Sequence, residues 1–136
     1  RMATRPDLYH NAMELADATG LPTPTVSKIL AALAREGVLL SQRGVKGGYR
    51  LSRPATEISV ADIIRAVDGP LAAVRGERPE SVTYEGPAEP LQRVWIAVRK
   101  NLRDVVEHVT LADLAAGTLP QDVNALADDP EAWTTR

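Results

Sequence analysis

Arg43, Lys46, Arg50 and Arg53, preceded by Lys28 and Arg35, place six cations in residues 23 to 53 against one acid, Glu36. That stretch carries +5 in a chain of formal net charge −2, which leaves −7 on the remainder. The chemistry open to it is electrostatic: guanidinium and ammonium groups neutralise phosphates. Their confinement to one stretch suits a local polyanion site on an acidic body. Charge alone serves a solvated face equally well, so the elements that carry these residues must decide.

Other chemistry finds little support. Residues 44 to 48 are glycine-rich around Lys46, but the spacing fits neither a P-loop nor a dinucleotide fingerprint, and no strand–loop–helix context surrounds them. His10 and His108 are far apart in sequence and lack matching partners, so both read as surface or capping residues. The acids between 77 and 89 read as solubilising a loop rather than as a carboxylate pair. The chain has no Cys, hence no disulfide, thiol nucleophile or thiolate metal site. No enzymatic activity is expected.

Two short helices and a hairpin position the cations. Residues 11 to 19 read as a helix, with Asn11 as cap, Glu14 in capping-box position and Gly20 as stop. A second start follows, with Thr23 as cap and Pro24 in the first helical position. Val26, Ile29, Leu30 and Leu33 then recur at helical spacing up to Gly37, an apolar face that must pack inward. Thr25, Ser27, Lys28, Ala32 and Arg35 fall on the free face. Two helices joined by a tight turn, the second basic outside, form a helix-turn-helix pattern. Residues 38 to 42 and 49 to 52 read as strands around a flexible tip at 43 to 48. Tyr49 and Leu51 alternate with Arg50, so one face packs while the other meets water or phosphate. A basic hairpin directly after such a helix is a wing.

Beyond Pro54, Ser59 and Asp62 pair as a cap, and Ile63, Ile64 and Val67 line a helix ending at Gly69-Pro70. Residues 71 to 87 read as an unusually long loop. Leu91, Val94, Trp95, Val98, Leu102, Val105 and Val109 then trace a narrow apolar seam over about five helical turns. A domain this small does not readily bury such a seam, so a partner helix from a second subunit is the expected cover. Packing against the 59–68 helix is the other possibility. Thr110 and Asp113 cap a short helix stopped at Gly117, and residues 118 to 136 read as a loose acidic tail.

The chain has 136 residues, 44% apolar and 25% charged, with no Phe and 4% aromatics. This is one domain's length, with a core of Leu, Ile, Val and Ala. No apolar run suits a bilayer and no signal-peptide pattern opens the chain; a soluble cytoplasmic protein without membrane contacts is expected.

The run Arg43-Gly44-Val45-Lys46-Gly47-Gly48-Tyr49-Arg50-Leu51, the turn Asp68-Gly69-Pro70 and the later Thr110-Leu111-Ala112-Asp113-Leu114 resemble the signature of the Rrf-two family of bacterial winged helix-turn-helix transcriptional regulators. The resemblance covers roughly residues 10 to 117. It implies a mainly α fold with a small β-hairpin wing and a long dimerisation helix. It also implies a homodimer on double-stranded DNA, a repressor reading a pseudo-palindromic operator. Pro24, Thr25, Ser27 and Lys28 fall where the family presents groove-facing side chains, and Arg43 matches the wing arginine that enters the minor groove. Lys46 and Arg50 join them as basic wing residues. The seam Leu91, Val94, Trp95, Val98, Leu102 and Val105 takes the place of the dimerisation helix.

The organisation expected is a DNA-binding domain at 1–70, a sensor-position loop at 71–87, the dimerisation helix with a short final helix at 88–117, and the tail. The family places a further helix before the position of Arg1, so the core is expected to lack that piece here. Iron-binding relatives carry Cys in the loop at 71–87; this chain has none, so no iron–sulfur cluster or other cofactor is expected. A small-molecule or protein effector is expected at that loop. The competing reading is a winged-helix module that binds protein and lacks sequence-specific DNA binding, which would respond far less to salt.

Overall fold

The computed structural model describes residues 1–135. Helix α1 (Ala12–Thr19) starts at Asn11, whose Oδ1 accepts from the Glu14 amide at 2.8 Å, and ends at Gly20 with φ +72°. The Glu14 carboxylate does not close the capping box. It lies 3.5 Å from both an Arg1 guanidinium nitrogen and His10 Nδ1. Helix α2 (Thr23–Arg35) begins at its expected cap, one residue early: Pro22 takes the cap position, without a capping side chain, and Thr23 and Pro24 open the first turn. Fixed proline torsions set the entry instead. Val26, Leu30 and Leu33 of α2 pack with Leu15, Ala16, Val38, Leu39, Ile58 and Ala66 as the core. Each large aliphatic side chain buried there contributes on the order of 1.5–3 kcal/mol. One side of this core opens as an apolar groove lined by Met2, Leu15, Leu33, Leu51, Ile63 and Leu111.

Strands β1 (Leu39–Gln42) and β2 (Gly48–Leu51) pair antiparallel, Leu39 opposite Leu51 and Ser41 opposite Tyr49. Tyr49 and Leu51 lean on the core, while Leu40 on the alternate face is exposed. At the hairpin's root the Ser52 amide donates to the Val38 carbonyl (3.0 Å) and the Ser52 hydroxyl to the Gly37 carbonyl (2.6 Å). On the outer edge of β2, His10 and Tyr49 exchange both backbone bonds at 2.8 Å, so the residue before α1 acts as a short third strand. Both adjacent glycines are sterically required. A Cβ at Gly48 (φ +137°) would sit 2.5 Å from the His10 carbonyl oxygen, and one at Gly47 2.1 Å from the Gln42 carbonyl oxygen.

Helices α3 (Val60–Asp68) and α5 (Leu111–Ala116) open on complete capping boxes, Ser59 with Asp62 and Thr110 with Asp113. Their starts are paired: the Val60 amide donates to the Val109 carbonyl (2.8 Å) and the Leu111 amide to the Ile58 carbonyl (2.9 Å). The buried residues of α3 are Ala61 and Ala66. Ile63 is only partly covered and Val67 is exposed, so close approach to α2 selects the small residues rather than the large ones expected to line it.

Residues 71–87 are more regular than a loop reading implies. Val74 and Glu77 exchange both backbone bonds across Arg75 (φ +53°) and Gly76 (φ +81°), the sign pattern of a type I′ turn. Short 3-10 turns occupy Pro79–Ser81 and Gly86–Ala88, and Leu71 and Pro79 are buried. Helix α4 (Leu91–Val106) follows and buries none of its residues. Leu91, Val94, Val98 and Leu102 are 37%, 51%, 37% and 41% exposed; Trp95 and Val105 are half-buried. Its polar contacts with the body are those of Gln92, which donates to the Pro79 and Glu80 carbonyls, of Arg99, which pairs with Glu80, and of its capping residue Glu107, which pairs with Arg65 and lies near Arg103. Val109 leaves the expected seam: α4 ends at Val106, and Val109 is buried, with its carbonyl accepting from the Val60 amide. The expected loose tail holds a further helix, α6 (Gln121–Ala127), and a 3-10 turn at Pro130–Trp133, whose indole N–H donates back to the Ala127 carbonyl. Pro120 starts α6 without a capping side chain, and the helix buries none of its residues, so its sequence carries no strong local mark. Among the described residues, no helix is long and apolar enough to cross a membrane.

Two outcomes are expected from these joints. Burial pushes the Asp62 carboxyl up, but the Ser59 amide and hydroxyl and the Arg53 guanidinium outweigh it, and the net direction is down from 3.8. A carboxyl that is a stronger acid when folded stabilises the fold above its unfolded value, and loses that effect as pH falls through the lower, folded one. Asp62→Asn should therefore destabilise at neutral pH and do so progressively less as pH falls below 3.8; a urea-midpoint shift that does not change with pH would contradict this. Gly48→Ala should cost on the order of 1–3 kcal/mol by overpacking against a fixed carbonyl, and an unchanged urea midpoint would refute the steric requirement.

Candidate nucleic-acid interface

At about 100° per residue, Pro24, Lys28, Ala31 and Arg35 of α2 line up opposite the buried Val26, Leu30 and Leu33, and all four are exposed. Thr25 and Ser27, also exposed, flank this row on either side. Ala31 was not singled out from the sequence; its small side chain keeps the helix surface low between two cations. Tight packing of α1 on α2 and the bond from the Val38 amide to the Leu33 carbonyl (2.9 Å) hold the helix relative to the hairpin.

At the wing, Arg43 and Lys46 are exposed on either side of a turn closed by the Gly47 amide and Gly44 carbonyl (3.0 Å). Val45 at the tip is fully exposed; an apolar tip was not anticipated. Among the described residues, Lys28, Arg35, Arg43 and Lys46 form no ion pair. Exposed, unpaired cations attract phosphate without first breaking an internal partner. The remaining two cations of the basic stretch differ. Arg50 is half-buried, with its guanidinium carbon 5.0 Å from the centre of the Tyr9 ring; cation–π stacking fixes its direction. Tyr9 could not be connected to Arg50 by spacing, since the two meet only through the His10–Tyr49 bridge. Arg53 is structural: Nε donates to the Glu57 carbonyl (3.1 Å) and a terminal nitrogen to Asp62 Oδ2 (3.1 Å).

The two histidines stay separate from this surface and from each other's chemistry. His10 is buried, with Nε2 3.4 Å from the Arg5 carbonyl, and exposed His108 has Nδ1 2.8 Å from the Asp104 carbonyl. The six seam residues are brought together along α4, and the indole N–H of Trp95 has no acceptor among the described residues.

Comparison with known proteins gives the same picture. Residues 1–117 match the model of the Rrf2 (Rrf-two) family, described as iron-dependent transcriptional regulators. Rv1287 of Mycobacterium tuberculosis (strain H37Rv), classed among HTH-type transcriptional regulators, is 47% identical over 119 residues, covering 88% of this chain and 74% of its own. The HTH-type regulator CymR of Bacillus subtilis (strain 168) is 32% identical, covering 76% and 70%. The solved structure of the B. subtilis CymR, the global cysteine regulator of that organism, superposes with a TM-score of 0.67 over 86% of each chain at 28% identity.

The donors here do not fit an iron centre. No Cys is present to supply thiolates, and among the described residues no three His, Cys, Asp or Glu stand together in a metal-holding group. Fold, exposed basic surface and relatives converge: the chain is a member of the Rrf2 family of helix-turn-helix transcriptional regulators.

Proposed function

We propose that the chain binds a pseudo-palindromic operator as a homodimer and acts there as a cytoplasmic repressor without an iron–sulfur cluster. The observation that carries this reading is the set of unpaired cations shared by the exposed face of α2 and the wing tip. In it, α2 enters the major groove. Lys28 donates to guanine O6 or N7, Thr25 and Ser27 make permissive contacts, and Pro24 sits at the groove-facing end. Arg43 enters a narrowed minor groove, where negative potential is strongest. Lys46 meets phosphate, and Arg50, braced by Tyr9, borders the backbone. Residues 1–70 form the DNA-binding unit, 71–87 the sensor-position loop and 88–117 the dimerising segment. Leu91, Val94, Trp95, Val98, Leu102 and Val105 cover their counterparts from a second copy, which supplies the apolar cover α4 lacks within its own chain.

Selection of bound duplexes from genomic DNA yields the operator for the tests. Fluorescence anisotropy should then show Arg43→Ala weakening operator binding by about 1–3 kcal/mol. Lys46→Ala should weaken operator and scrambled duplex alike, and wild-type affinity should fall steeply with salt. Unchanged operator affinity in Arg43→Ala would remove the wing from the interface; salt-independent binding would favour a protein-docking module instead.

Val98→Glu with Leu102→Glu places unpaired charges against their symmetry mates, a penalty of several kcal/mol. Light scattering should report a monomer, with operator binding lost. A double variant that still dimerises would refute this packing.

A further inference from the structure

A cleft of about 360 Å³ lies where α2, α3, the Gly69-Pro70 turn, residues 78–80 and α4 meet. Four guanidiniums line it, those of Arg65, Arg78, Arg99 and Arg103, against two carboxylates, Glu36 and Glu80. Glu107 pairs with Arg65 from the rim, and the cations still outnumber the acids. The volume falls in the range of small-ligand pockets, and forked guanidiniums match the paired oxygens of phosphate and carboxylate. The lining is unequal in mobility. The Arg99 side chain is only 16% exposed, whereas that of its partner Glu80 is 47% exposed. Arg78 is exposed and forms no ion pair among the described residues.

We propose that this cleft binds a small acidic metabolite through its phosphate or carboxylate oxygens, which replace the Glu80 carboxylate on Arg99 while Arg78 and Arg103 close on the remaining charge. Glu80 can swing into water; Arg99 cannot. Exchange at Arg99 would remove an ion pair that ties the Pro79–Ser81 turn to α4. Glu36, the residue that closes α2, borders the same cleft, so occupancy also acts at the foot of the helix assigned to the major groove. The regulatory half of this inference rests on the DNA-binding reading above; the binding half does not.

Calorimetry on the full chain tests binding without DNA, with inorganic phosphate and succinate as separate probes against sodium chloride at equal ionic strength. One saturable site per chain for either probe is expected, and which probe binds distinguishes the phosphate from the carboxylate source. Arg78→Gln with Arg103→Gln, both at exposed positions, should weaken it about tenfold or more while leaving the thermal midpoint without ligand unchanged. Glu80→Gln should bind more tightly, because the internal competitor is gone. Arg43→Ala should bind as wild type. No saturable heat above the chloride control, or equal affinity in the double variant, overturns the site. Operator titrations with and without the bound probe should differ about fivefold or more in wild type and not in the double variant. Binding without that difference overturns the regulatory role. Saturable binding by a protein that ignores DNA upholds the site and rejects the operator reading.

Discussion

Two backbone hydrogen bonds between residues 58–60 and 109–111 hold the two ends of this fold together. They bring the amide of Val60 to the Val109 carbonyl and that of Leu111 to the Ile58 carbonyl, and they do so at the points where α3 and α5 begin. Helix starts are rich in unsatisfied amides, so a position that fixes both starts at once must satisfy both. The Ser59–Asp62 and Thr110–Asp113 boxes do this locally, leaving Ile58 and Val109 free to bury their side chains between them. Asp62 then receives Arg53 from the base of the wing. The hairpin's footing, the direction of α3 and the return of the chain after α4 thus share one junction.

Much of the half that holds α1, α2 and the wing was legible because its marks are local. Asn11, Gly20, Gly37 and Ser59 each act within a turn of where they stand, and the alternation of Tyr49, Arg50 and Leu51 sets the wing's two faces without reference to the rest of the chain. Legibility ended where the deciding contact lies far off in sequence. Val109 continues the α4 spacing, yet its backbone is needed by Val60 and its side chain by the core. Ala61 and Ala66, rather than Ile64 and Val67, are the buried residues of α3 because α2 lies close. Arg50 takes its direction from Tyr9, forty-one positions earlier. The Arg-lined cleft draws Glu36, Arg65, Arg78 and Arg99 from segments far apart in sequence, and no periodicity connects them.

Helix α4 faces two solvents of different kind. Towards its own body it presents Gln92 and Arg99, which meet carbonyls and a carboxylate of residues 79–80; away from it run Leu91, Val94, Val98 and Leu102. Polar contacts are individually weak at a wet surface and exchange readily, whereas an apolar seam is insensitive to the rearrangement of single charges. A helix so divided can keep one set of contacts while altering the other.

The paired glycines where the wing's tip joins its second strand bear on which positions of the hairpin can vary. Gly47 and Gly48 are closed to side chains by the carbonyls of Gln42 and His10, whereas a Cβ at Gly44 would enter open space, although its φ of +107° still resists one. Lys46 and Val45 between them touch nothing that constrains their identity. The hairpin therefore behaves as an interchangeable nib on a fixed holder: the exposed residues of its tip can be exchanged as a short cassette without disturbing the glycines that mount it.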